Sequence, residues 1–150
     1  MLTHRPITRA QARRFTAEHH RHCGELRINR FSIGAYAEGR LVGIVTVGQP
    51  TAQALAADPE AAEIARLCVA PDAPRNACSY LYGVARRAWQ AMGGVKLHTY
   101  TLESESGASL RGAGFRPVAT VRAKRWSHPS RPRPARAIEA ERKIRWEAGP

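Results

Sequence analysis

A single α/β domain, with a mixed sheet and helices on both of its faces, is the fold class these 150 residues predict. Three observations carry that reading. The chain has the length of one ordinary domain, and at 43% hydrophobic it can fill one packed core. Strand-like and helix-like segments alternate in the order β-α-β-β-(α)-β-α-β-α-β, with no internal repeat. A long amphipathic helix opens near Asn76, directly behind a strand and a loop. That placement makes an anion site from free backbone N–H groups and the helix dipole.

Leu2 to Ile7 reads as a short strand. Thr8 follows as a helix N-cap with Gln11 three residues on, a capping box. The helix is expected over Arg9 to His22, with Ala12, Phe15 and His19 on one face and Gly24 ending it. Phe31–Ala37 and Leu41–Gly48 form a hairpin across Glu38-Gly39-Arg40. Thr51 to Ala57 suits a short helix stopped at Asp58-Pro59, and Ala62 to Val69 a strand. Asn76 is the expected N-cap of a helix whose apolar face is Leu81, Val84, Ala85, Ala88, Trp89 and Met92, ending at Gly93-Gly94. Val95 to Leu102 is rich in β-formers, Ser106 to Ala113 suits a short helix, and Pro117 to about Trp126 a last strand. Beyond it, Ser127 to Pro134 is a proline and arginine run. The expected division is therefore a domain over residues 1–126 and a basic C-terminal arm over 127–150.

Charge separates the function classes. Lys and Arg number 24 against 12 Asp and Glu, a net of +12. Nine Lys/Arg and two Glu lie between Arg122 and Trp146. Such a balance suits a polyanionic partner, and nucleic acid, DNA in particular, is the expected one. No apolar run reaches the roughly 18 residues of a membrane helix, and the N-terminus lacks a signal-peptide stretch. Cys23, Cys68 and Cys78 form no CxxC pair, against a disulfide scaffold or zinc ribbon and for a reducing, cytoplasmic setting.

The element order, the segment Arg66-Leu67-Cys68-Val69-Ala70-Pro71-Asp72 and the pair Gly114-Phe115 resemble the GNAT acyltransferase superfamily over about Leu2 to Trp126. Two positions depart from its pattern. The usual glycine-rich Arg-Gly-x-Gly-x-Gly/Ala loop is Arg75-Asn76-Ala77-Cys78-Ser79 here. The tyrosine that serves many of those enzymes as an acid is Leu110. A narrower resemblance absorbs both. Glu63-x-x-Arg66-Leu67, Asn76-Ala77-x-Ser79 and Thr99-Tyr100 look like the phage Mom DNA-modification proteins and a related phage and prophage GNAT-like family, whose members share the stretch His19-His20-Arg21-His22 and the segment from Ser104 to Phe115. Mom proteins modify adenine bases in phage DNA.

The resemblance implies acetyl-CoA or another acyl-CoA as cofactor, at Leu67, Val69, Arg75, Asn76, Ala77, Cys78 and Ser79. Glu63 or a histidine, His20 foremost, is then the expected base and Tyr100 the acid. His19, His22, Arg66, Ser104, Ser106 and Trp126 are the expected acceptor-binding side chains. Each residue also has a plainer reading. Glu63 could partner Arg66, although in a regular strand the two point to opposite faces. Asn76 is explained by capping, Tyr100 by an interior strand, and Cys78 by packing. His19 with His22 or Cys23 has metal-compatible spacing, but no fourth ligand is evident and no metal is expected. The function expected is N-acyl transfer to a base of nucleic acid. The alternatives are a non-enzymatic nucleic-acid-binding module on the same fold, or an acetyltransferase for a protein or small amine. Deleting residues 127–150 is expected to weaken nucleic-acid binding in a folded domain, unless Ile138, Ile144 and Trp146 fold back as an apolar patch on the sheet, in which case truncation unfolds the domain.

Overall fold

The computed structural model describes residues 1–19, 30–122 and 142–149. The elements are β1 (Leu2–Pro6), α1 (Arg9–His19), β2 (Phe31–Ala37), β3 (Arg40–Gly48), α2 (Gln53–Ala56), β4 (Ala61–Val69), α3 (Ala77–Ala91), β5 (Lys96–Leu102), α4 (Ala108–Gly112), β6 (Arg116–Val121) and β7 (Lys143–Ala148). The strands form one seven-stranded sheet in the order β1-β2-β3-β4-β5-β7-β6. Only the β4–β5 pair is parallel.

Local chemistry starts and stops these elements. The Gln11 backbone N–H donates to Thr8 Oγ1 at 3.1 Å and the Thr8 N–H to Gln11 Oε1 at 2.9 Å, a closed capping box. The β2–β3 hairpin turns on Glu38 (φ 51°) and Gly39 (φ 77°). Positive φ at both central residues gives the turn a twist that matches the flanking strands.

α3 lies on one face and buries Leu81, Val84, Ala85 and Trp89 against Ile33, Val45, Val47, Ala62, Ile64 and Leu97. Each large side chain so buried contributes about 1.5–3 kcal/mol. The Trp89 indole N–H also donates to the carbonyl of Lys96 at 2.9 Å, tying the end of α3 to the start of β5. α1 covers the other face, where Phe15 packs with Ile44, Cys68 and Ala70.

Three sequence expectations change. Asn76 precedes α3, but its side chain makes no capping bond. Met92, expected on the apolar face of the helix, is the C-cap residue past Ala91 and is 62% exposed. The C-terminal segment also does not stand apart from the domain. Lys143–Ala148 inserts between β5 and β6, pairing Thr99 with Trp146 on one side and Pro117 with Trp146 on the other. Trp146 is 1% exposed and its indole N–H donates to Thr101 Oγ1 at 2.9 Å. Gly107 (φ 70°) caps α4 directly over the Trp146 ring, where a Cβ would collide with it. Residues 127–141 of the expected arm lie outside the described residues.

Candidate active site

The site begins where the parallel strands part. β4 and β5 are paired only from Ala61 to Glu63 and from Lys96 to His98. Beyond Glu63, β4 keeps β3 as its strand partner and turns its other edge to a gap. Alternate backbone groups of that edge are directed into the gap rather than to a partner strand.

A bulge then re-aims the side chains of β4. Thr46 pairs with Arg66 and Val47 with Ile64, so Ala65 is an extra residue. It brings Glu63 and Arg66 to the same face, although an unbroken strand would separate them. A cleft of about 600 Å³ opens there, with Glu63, Arg66, Leu67, Tyr82, Tyr100 and Lys143 among its lining.

Glu63 is buried and accepts hydrogen bonds from Thr51, from the hydroxyl at 3.2 Å and the backbone N–H at 3.4 Å, both on Oε1. Burial raises its pKa above the ordinary carboxylate value, and Thr51 and the Lys143 cation offset part of the rise. A carboxylate so tuned takes up a proton more readily than one in water. Burial and the neighbouring Glu63 charge both raise the Tyr100 pKa, against the opposing pull of Arg145 across the strand pair. Tyr100 therefore keeps its proton at neutral pH. Leu110, which has no ionisable group, is 1% exposed in the core.

An adjoining cleft of about 370 Å³ is lined by Leu67, Val69, Cys78, Tyr82, Ser106 and Leu110, among others. Tyr82 lines both clefts, and burial pushes its pKa up to about 12, so it remains neutral. Cys78 sits in the first turn of α3, where burial raises the thiol pKa and keeps it a packing residue. Arg75 and Asn76 are exposed ahead of the helix, Ala77 is buried, and the Ser79 hydroxyl donates to the Asn76 carbonyl at 3.1 Å.

The other expected residues divide. His19 stacks on Phe15 at 4.3 Å between ring centroids and lines a separate groove with Arg14, Arg40 and Asp72, outside the Glu63 cleft. Ser104 is exposed in the turn after β5. His20, His22 and Trp126 lie outside the described residues. The sequence reading missed Thr51, His98, Lys143 and Arg145. His98 is 1% exposed, in register with Glu63 on one side and Glu147 on the other, with its Nδ1 3.6 Å from Glu147 Oε2. Burial lowers its pKa and keeps the ring neutral.

A family model described as the Mom protein family matches residues 1–104, which span β1 through β5 and hold Glu63, Arg66 and Tyr100. The chain belongs to the Mom protein family. β7, with Lys143 and Arg145, lies outside the span matched by the Mom model. No curated protein sequence matches the chain. Solved structures share its fold. The ribosomal-protein-S18-alanine N-acetyltransferase from Escherichia coli superposes with a TM-score of 0.70 at 12% identity, over 99% of this chain and 94% of that one. An acetyltransferase from Bacillus subtilis in complex with CoA gives 0.68 at 12%, over 100% and 99%. A GNAT-family acetyltransferase from Streptococcus pneumoniae gives 0.68 at 12%, over 99% of each chain. This Mom-family chain therefore has the GNAT acetyltransferase fold. No helix among its described residues is long and apolar enough to cross a membrane.

Proposed function

We propose that this Mom-family chain is an acyl-CoA-dependent N-acyltransferase that acts on a nitrogen of a nucleic acid base. The observation that supports this best is the meeting of Glu63 and Tyr100 in a cleft at the parting of β4 and β5. The residues present fit acyl-CoA. The unpaired edge of β4 past Glu63 offers backbone donors and acceptors to an extended amide-containing chain, and the Leu67–Val69 stretch lines the adjoining cleft. Arg75 and the start of α3 offer charge and free N–H groups for the phosphates, without the glycines usual in this fold.

When bound, acyl-CoA supplies the activated thioester. Glu63 accepts the proton from the attacking nitrogen, its carboxylate oriented by the two Thr51 bonds. The Tyr100 hydroxyl is the proton donor for the departing sulfur, since it stays protonated at working pH. Backbone amides along Leu67–Val69 are the candidate donors to the developing oxyanion. The net charge of +12 and the family's resemblance to DNA-modifying proteins favour nucleic acid over a small amine as acceptor.

Mass analysis of nucleosides from cells expressing the chain or its Glu63→Gln variant tests the proposal. A base carrying an added acyl mass is expected with the first and not with the second. Unmodified nucleosides, together with acylation of protein amines, would overturn the choice of acceptor. A thermal shift with acetyl-CoA tests the cofactor. Saturation at 100 times Kd adds about 2.7 kcal/mol, and no shift at millimolar donor would favour the binding-module alternative.

A further inference from the structure

Five buried side-chain polar atoms among the described residues lack a hydrogen-bond partner: Ser32 Oγ, Thr46 Oγ1, both ring nitrogens of His98, and Arg145 Nε. The strand registers place all of them on one face of the sheet. Ser32 pairs with Thr46 and Thr46 with Arg66, while His98 pairs with both Glu63 and Glu147, and Tyr100 with Arg145. This is the face opposite α3, whose own side carries Val45, Val47, Ile64, Leu97 and Trp146. These atoms mark the face opposite α3 as polar where the α3 face is apolar.

The same face changes character past Glu63. α1 covers β2, β3 and β4, whereas on β7 the strip beyond the cleft carries Lys143 and Arg145. Lys143 lines the Glu63 cleft, is exposed, and is close enough for its charge to act on Glu63. Arg145 acts on Tyr100 from the neighbouring strand. These cations therefore flank the acid and base on the side away from the α3 N-terminus.

We infer that Lys143 and Arg145 on β7 form a phosphodiester-binding strip that seats a DNA single strand with one base directed past Tyr100 towards Glu63. The strip suits a backbone rather than a base sequence, because two cations at alternate positions of one strand, ~7 Å apart, match the spacing of successive phosphates and read no base edges. The inference rests on the nucleic-acid reading above and adds the surface that would hold the acceptor.

The test is a salt titration by fluorescence anisotropy, using the full chain and a labelled DNA single strand of about 12 nucleotides. The Lys143→Gln/Arg145→Gln variant is compared with wild type between about 50 and 200 mM salt. Loss of two phosphate contacts should make the slope of log K against log salt shallower by about 1.4, at roughly 0.7 per contact. Arg5→Gln/Arg87→Gln, which removes two cations from a groove on the α3 side, should leave the slope at its wild-type value. The charge-keeping Lys143→Arg/Arg145→Lys variant should restore it, which separates charge from folding. CoA binding by the Gln variant should match wild type. An unchanged slope in the Gln variant, an equal drop in the Arg5/Arg87 variant, or a loss of CoA affinity instead would overturn the strip alone. A wild-type chain that leaves the oligonucleotide unbound at low salt would overturn both the strip and the nucleic-acid reading.

Discussion

β2 and β3 are buried along most of their length, with α3 on one face and α1 on the other. Across the sheet, β6 has no fully buried residue, and β7 alternates charge with Ile144, Trp146 and Ala148. The boundary between the two regimes is Glu63, the last β4 residue paired to β5. One half is a scaffold that buries both faces. The other buries one face and leaves the opposite one polar, so the candidate chemistry sits on a seam where rigid packing meets groups that can still exchange protons and bind ions.

The largest effect should come from testing whether the polar half belongs to the fold. Ending the chain at residue 126 removes β7 and leaves β5 and β6 without the strand between them. Loss of the cooperative unfolding transition by circular dichroism is expected, and the milder Trp146→Ala should cost about 3–5 kcal/mol in a denaturant melt. Of the two outcomes expected for deletion of residues 127–150, the packing of Ile144 and Trp146 in the sheet favours unfolding. A truncated chain with a wild-type melt would show the halves to be independent.

Glu63→Gln sharpens the boundary. Transfer should fall by about 10²–10⁴-fold, as for loss of a general base. Stability should move the other way. A carboxyl whose folded pKa is raised loses stability as pH rises through the window from its unfolded value, about 4.3, to its folded one. The Gln variant should lack that decline and melt at or above wild type at pH 7. A lower melting point with full activity would make Glu63 a structural partner instead.

His98 probes the same row with the opposite sign. Its folded pKa is lowered, so the unfolded chain binds the extra proton first as pH falls below about 6.5, and stability drops there. His98→Gln should flatten that part of the pH profile in a thermal melt. A profile superimposable on wild type would mean that the ring titrates normally and the row is open to water.

The smallest effect is expected within the scaffold half. Asn76→Ala should cost less than about 0.5 kcal/mol rather than the ~1 kcal/mol usual for a capping residue, because the Asn76 side chain caps nothing. A full capping loss in a urea melt would contradict the observed start of α3.

What could be read in advance follows from range. The Thr8–Gln11 box, the Glu38-Gly39 turn and the Leu81–Trp89 face are encoded within a few residues, and the structure reproduces them. The Glu63–Tyr100 meeting was expected from family resemblance, but its geometry was not. The bulge at Ala65 that unites Glu63 with Arg66 is a property of the pairing with β3. β7 was hidden differently. Lys-Ile-Arg-Trp-Glu-Ala alternates as a half-buried strand should, yet it follows a proline and arginine run that reads as an arm. Lys143, Arg145 and His98 come beside Glu63 and Tyr100 only through register across three strands, which no local pattern reports.

β7 also bears on how the chain comes to be folded. Its partner β5 ends at Leu102 and its other partner β6 at Val121, so Thr99 must wait for Trp146 and Pro117 for that same residue. Until residues 143–148 have left the ribosome, a nascent chain exposes two bare strand edges, the template on which chains aggregate. Closing such distant pairings is slow compared with forming the β2–β3 hairpin. The stretch from Arg122 to Arg142, with seven Lys/Arg and two Glu, is synthesised in just that interval, so the growing chain gains net positive charge while the sheet waits for its missing strand.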